Sequence, residues 1–168
     1  MQCQPTFRFS LFPYLPAMSA AAPIRHRNLP LLLLHAREAV LSRFRPILNA
    51  HGLTEQQWRI VRALIDTGPR EPREIVTLCG ISSPSLAGIL ARMEDLGLVR
   101  KAPVDGDQRR VTVLLTTKSR RLAETMAPQI EAVYAGIEAA LGKDFTDDTY
   151  QALDAMIARL GEASGTPE

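Results

Sequence analysis

Between Glu71 and Leu115 the hydrophobic period of this chain changes once, and the order of that change limits the fold more than any other feature. A short helical stretch, Glu71–Leu78, closes at Gly80. Ser82-Ser83-Pro84 then opens a helix with apolar positions Leu86, Ile89, Leu90, Met93 and Leu96, and Gly97 stops it. Ser83 is the expected N-cap and Pro84 the first helical residue, where the missing proline N–H is not needed. From Leu98 the spacing shortens to alternation. Leu98–Pro103 and Arg110–Leu115 read as strands across the polar turn Val104-Asp105-Gly106-Asp107-Gln108-Arg109. Two helices joined by a glycine turn and followed at once by a hairpin predict a winged helix-turn-helix.

Helical patterns flank this unit. Leu29–His51 reads as a helix with Pro30 in its first turn, a 3–4 stripe of Leu33, Leu34, Val40, Leu41, Phe44, Ile47 and Leu48, and Pro46 as a kink. Thr54-Glu55-Gln56-Gln57 is a capping box opening a helix that carries Trp58, Val61, Leu64 and Ile65. After the hairpin, Thr117 is expected to cap a long helix reaching Leu141, bent at Pro128. Thr146 is expected to cap a last one lined by Tyr150, Leu153, Met156, Ile157 and Leu160. The fold class is therefore mainly α with a small β-hairpin wing (α+β). Residues 53–117 form the winged domain, and residues 29–52 and 118–163 form a helical dimerisation region. Pro5, Pro13, Pro16 and Pro23 break residues 1–28 into an extended, disordered arm, and they interrupt the apolar core a signal peptide would need. Met18 is an alternative start.

Charge is unevenly spread. Residues 1–81 carry 10 Lys/Arg against 5 Asp/Glu, residues 82–121 carry 8 against 4, and residues 122–168 carry 2 against 9. A formal net charge of +2 thus hides a basic body and an acidic C-terminal third, which suits one face for a polyanion. No apolar run is long enough for a membrane span, so no membrane partner is expected and the cytoplasm is the expected location. Two cysteines, Cys3 and Cys79, make neither a disulfide framework nor a zinc site. No nucleophile elbow, P-loop or HExxH pattern appears, and His26, His35 and His51 are scattered. Neither an enzyme, a metal centre nor a cofactor is expected. A thiol- or metal-responsive regulator, a ligand-independent one, or a winged protein-interaction module are the competing classes.

The recognition helix and wing supply the candidate DNA contacts. Ser82, Ser83, Ser85, Leu86 and Gly88 stand at the helix N-terminal end, where small hydroxyls and backbone N–H groups meet phosphate and approach bases. Arg92 follows one to two turns on, within reach of base edges. Arg109 lies at the hairpin tip with Arg110, Lys101 and Arg100 close by. A basic tip suits the narrow minor groove.

These residues resemble the MarR family. The resemblance spans about residues 29–160, through Leu53-Thr54-Glu55-Gln56-Gln57-Trp58, Ser83-Pro84-Ser85-Leu86-Ala87-Gly88-Ile89-Leu90, and the wing sequence Asp107-Gln108-Arg109 followed by Val111, Val113 and Leu115-Thr116. It implies that Arg109 enters the minor groove and that Asp107 holds the tip in shape. Ala36-Arg37-Glu38-Ala39, Phe44-Arg45-Pro46 and Thr54–Val61 are similar to a subgroup that represses homoprotocatechuate (hydroxyphenylacetate) degradation operons. Ser82-Ser83 departs from that subgroup. The resemblance implies a homodimeric repressor on a double-stranded, pseudo-palindromic operator, released by a small aromatic carboxylic acid of the hydroxyphenylacetate type; a hydroxylated heteroaromatic acid such as a hydroxynicotinate presents the same carboxylate and ring and is the alternative.

For such an effector the expected contacts are His35, Arg37, Arg45, Trp58 and Arg59. Arginine forks onto a carboxylate and tryptophan stacks on a ring. Arg37 falls at Leu33 + 4, on the side that looks buried. The apolar positions of Leu31–Leu34 and of the last two helices exceed what one winged domain covers, which points to an isologous dimer.

Overall fold

The computed structural model describes residues 25–104 and 107–163. Helix α1 (Leu29–Ala50) starts where the Asn28 side chain accepts the Leu31 N–H at 3.0 Å, with Pro30 in the first turn. Helix α2 (Glu55–Thr67) carries the expected capping box, Gln57 N–H to Thr54 Oγ1 at 3.2 Å and Thr54 N–H to Gln57 Oε1 at 2.9 Å. Helix α3 (Pro72–Cys79) ends on Gly80, whose φ of +57° is the left-handed cap that glycine adopts without a Cβ clash. Helix α4 (Ser83–Asp95) follows. Strands β1 (Val99–Val104) and β2 (Asp107–Leu115) pair antiparallel, Val99 opposite Leu115 and Pro103 opposite Val111. Helices α5 (Thr117–Leu141) and α6 (Lys143–Ala163) complete the chain.

The mainly helical, winged architecture is the expected one; several boundaries differ, α3 and β1 each lying one residue later than expected. The α4 N-cap is Ser82 rather than Ser83, and the α5 N-cap is Thr116 rather than Thr117, because these residues hold extended ψ values of 146° and 169° just before the helices. Helix α6 begins directly after Gly142, not at Thr146, which lies inside it and donates back to the Gly142 carbonyl at 2.9 Å. Strand β2 begins at Asp107 rather than Arg110, so the strand takes in part of the expected turn, with Asp107 opposite Val104. A register irregularity at Pro103/Val104 absorbs the change. On its other side β2 accepts a third segment. Arg70 exchanges backbone hydrogen bonds with Val113 at 3.2 and 2.8 Å. That leaves β1 as the outer strand, which explains why Pro103 is tolerated there.

The core lies where α2, α3, α4, the wing base and the first half of α5 converge. Ile60, Ile75, Met93, Val113 and Met126 are fully enclosed there. The chain fastens α5 to the wing through hydroxyls. Ser119, fully buried, donates to the Leu98 carbonyl at 2.6 Å, and Thr116 Oγ1 donates to that of Gly97 at 2.7 Å. The outer helices bury little. Among the described residues, helix α1 contributes only Phe44 and Leu48 to the buried core, and α6 contributes no buried residue.

Candidate nucleic-acid interface and effector cavity

At the start of α4, Ser82, Ser83, Ser85 and Gly88 are exposed together, with Ser82 Oγ donating to Ser85 Oγ at 2.9 Å. Leu86 does not belong with them. It is 2% exposed, packed into the core, because it falls on the face of α4 that Ile89, Leu90 and Met93 also occupy. A Cβ built on Gly88 would meet nothing within 4 Å. The fold itself therefore does not require glycine at 88, and the open space over this turn is available to a partner's backbone. Arg92 is exposed one turn further, its Nε 3.4 Å from the Gly88 carbonyl.

The wing presents Arg100 and Arg109 at the surface. Two of its other cations are engaged within the protein. Lys101 pairs with Glu94 of α4 at 2.5 Å, and Arg110 pairs with Glu71 at the start of α3. Glu71 also holds Arg73 at 3.1 Å. These pairs, with the Arg70–Val113 bridge, brace the wing against the helix-turn-helix. Arg73, on α3 and 75% exposed at its side chain, is a surface cation that the sequence reading missed. The Asp107 side chain lies outside the described residues.

A second feature lies between α1, α2 and α5. A cavity of about 360 Å³ is walled by Phe44, Glu55, Trp58, Arg59, Arg62 and Tyr134, among others. That falls within the usual range of small-molecule sites, about 300–1,000 Å³. Trp58 and Arg59 were expected here and are found. Arg37 and Arg45 do not line it, and His35 stands exposed on α1, away from it. Arg37 is not on a buried side, since its side chain is 46% exposed, and it pairs with Glu55. Among the described residues, the N-terminal half of α1 has no neighbour that buries it. Arg45 forks onto Glu38, the second bond being 2.7 Å, and lies 4.0 Å from Glu55. That hydrogen bond holds the Glu38 carboxyl below its ordinary value.

Three residues of this cavity went unread. Arg62 stands four positions after Trp58 and seven after Glu55, so helical spacing alone places it on the same face. Phe44 had been read as core only. Tyr134 comes from α5, and nothing local in the sequence points to it. Arg62 spends Nε on Asp66 at 3.0 Å. Burial pushes the Tyr134 phenol up, with the Tyr150 and Arg62 charges as smaller influences in opposite directions. The charged groups of the wall balance, Arg59 and Arg62 against Glu55 and Asp66, while Arg37, Arg45 and Glu38 lie outside it and pair with one another or with Glu55. A smaller cavity of about 260 Å³ opens on α2 and α5 beside Trp58 and Arg62, but Glu124 and Glu131 share its lining with Arg120.

Apolar side chains remain uncovered on the outer helices: Leu31 and Leu34 on α1, Phe145, Tyr150, Ile157 and Leu160 on α6, the last two more than 60% exposed. Cys79 is buried, and burial pushes its thiol up, which keeps the reactive thiolate scarce. Among the described residues no three His, Cys, Asp or Glu gather as a metal site. No single described helix is long and apolar enough to cross a membrane.

Comparison with known proteins places this arrangement. The MarR family model matches residues 51–110. The homoprotocatechuate degradative operon repressor of Escherichia coli is 42% identical over 132 residues, covering 79% of this chain and 86% of that protein. Among solved structures, the transcriptional regulator PA4135 superimposes with a TM-score of 0.76 at 38% identity, over 84% of this chain and 100% of that one. The structure of NadR in complex with 4-hydroxyphenylacetate gives 0.70 at 36% identity, over 83% and 96%.

Proposed function

The chain belongs to the MarR family, and from that premise we propose that it is a homodimeric transcriptional repressor released from its operator by a small aromatic carboxylic acid. It binds rather than catalyses, and it works in the cytoplasm, where its DNA is. The observation that carries the effector half is the cavity between α1, α2 and α5, walled by the rings of Phe44, Trp58 and Tyr134 with the guanidiniums of Arg59 and Arg62 among them. Arg62 has its terminal nitrogens left for a carboxylate after Nε has gone to Asp66. Trp58 and Phe44 supply ring faces and edges, and Tyr134 offers a hydroxyl. Glu55 stands two helical turns from Arg62, roughly 10 Å along the axis, and can accept from a ring hydroxyl. A hydroxyphenylacetate or a hydroxynicotinate presents both groups.

The DNA half rests on the exposed Ser82–Gly88 end of α4 and on the basic wing. Helix α4 enters the major groove with Ser82, Ser83, Ser85 and Gly88 against backbone and bases, while Arg92 reaches further along. Arg109 probes the minor groove. Lys101 and Arg110 act mainly by holding the wing in place. Residues 29–52 and 118–163 pair with a second copy, which covers the apolar residues of α1 and α6 and sets the two recognition helices about one DNA turn apart. The effector acts by binding more tightly to a dimer whose recognition helices are wrongly spaced. A tenfold weakening on DNA corresponds to about 1.4 kcal/mol of coupling.

The test is a titration of the protein onto its own upstream intergenic DNA at two salt concentrations, with and without a panel of phenylacetates and pyridine carboxylates. Tight, salt-dependent binding weakened tenfold or more by one acid is the expected result. Tight binding unmoved by every acid would remove the effector half.

A further inference from the structure

We infer that Arg59 is the positioning residue through which the cavity is linked to the recognition helix; this rests on the effector reading above. Its two terminal nitrogens are divided. Nη2 donates to Glu55 Oε1 at 2.8 Å within α2, and Nη1 donates to the Cys79 carbonyl at 2.8 Å. Cys79 is the last residue of α3, and its carbonyl is among those that a helix end leaves without an intrahelical partner. A cation there satisfies it and complements the negative end of the helix. The Cys79 thiol leans back on the Arg59 carbonyl at 3.8 Å, so α2 and α3 are tied twice at this point. Immediately beyond lie Gly80, at φ +57°, and then Ser82, the cap of α4. The tie therefore holds the hinge from which the recognition helix departs.

Arg59 is also a wall of the cavity, and Arg62 stands beside it three positions on, on the same helix face. A carboxylate held by Arg62 gives Arg59 an ionised acceptor in place of a neutral carbonyl. Bonds in which both partners are charged are the stronger kind. When Arg59 turns to the ligand, the Cys79 carbonyl loses its partner, the end of α3 loosens, and α4 shifts relative to α2. The ligand thus binds better to the loosened state, which is the differential contact a population shift requires.

The experiment compares wild type with Arg59→Gln as full-length dimers on the upstream DNA, with 4-hydroxyphenylacetate as the probe. Without the acid, the variant should bind the DNA at least tenfold more weakly than wild type. Adding the acid should change its affinity less than twofold, while calorimetry still shows the acid binding within about tenfold of wild type. A variant that binds DNA within threefold of wild type and is released normally overturns the inference. So does a variant that loses acid binding altogether, which would make Arg59 the anchor. Hydrogen exchange gives a second reading in wild type. The Gly80 and Ile81 amides, which donate to Thr77 and Val76 at 3.4 and 3.2 Å, should exchange several-fold faster with the acid bound. Unchanged exchange counts against the tie even if the variant fails to fold. If no acid releases wild type, the effector reading fails by itself, and the acid-free comparison of the two proteins, by DNA affinity and by exchange at Gly80 and Ile81, still decides the role of Arg59.

Discussion

Phe44 of α1 and Tyr134 of α5 meet edge to face, with ring centroids 5.0 Å apart and planes at 62°. Ninety positions of sequence are closed by that one contact. Both rings wall the cavity, so the same packing that joins the outer helices also shapes the site. Tyr134→Phe keeps the contact and removes only the hydroxyl. Calorimetry should show aromatic-acid affinity falling about tenfold, roughly the net worth of one hydrogen bond to a charged group, with the thermal midpoint unchanged.

Arg62→Leu removes the proposed carboxylate anchor while keeping the apolar stem that packs along α2. Acid binding should weaken by more than tenfold, consistent with about 1.5–3 kcal/mol for a charged hydrogen bond. The DNA affinity of the acid-free protein should hold within threefold, measured by fluorescence anisotropy. Loss of both would place Arg62 in the fold rather than the site.

Gly88→Ala separates stability from recognition. The added methyl meets open space, and alanine is the better helix former by roughly 0.8–1 kcal/mol. The thermal midpoint should rise by a few degrees. Operator affinity should fall at the same time, because the methyl occupies the space left for the DNA backbone. A variant that is more stable and binds DNA equally well would show that nothing approaches this turn.

Glu71→Gln tests the wing brace through its sign. Removing a negative charge near a polyanion should, by charge alone, strengthen DNA binding. Glu71 holds Arg110 of the wing and Arg73 of α3, so its loss should instead weaken binding several-fold. Tighter binding in a salt titration would mean that the pair does not position the wing.

Ile157→Asp with Leu160→Asp places charge on the exposed face of α6. Sedimentation should show a monomer, and tight operator binding should disappear with the second recognition helix. A dimer of unchanged stability would move the interface elsewhere.

The winged unit was legible because its signals are local. The Thr54–Gln57 capping box, the Gly80 stop and the alternation over Arg110–Leu115 each depend on residues within a few positions of one another, and each lies in the element expected of it, although β2 starts earlier, at Asp107. Errors came at element ends. Ser82 against Ser83, and Thr116 against Thr117, are choices between adjacent residues able to cap a helix, settled by which one takes the extended backbone. Leu86 was assigned to the DNA face by its place in the segment, whereas the helical stripe it shares with Ile89, Leu90 and Met93 already marked it as core.

The cavity was legible only in part. Trp58 and Arg59 follow from their own helix, and Arg62 follows from the same helix at a spacing of four. Tyr134 does not, and the separation of His35, Arg37 and Arg45 from the cavity wall does not either. Hydrophobic period, caps and turn glycines determine which segments become helix or strand, because those preferences act over a few bonds. Which guanidinium meets which carboxylate, and which ring closes over it, depends on how α1 and α5 cross α2. That crossing is set by close packing among residues far apart in the chain, so only the tertiary structure decided it.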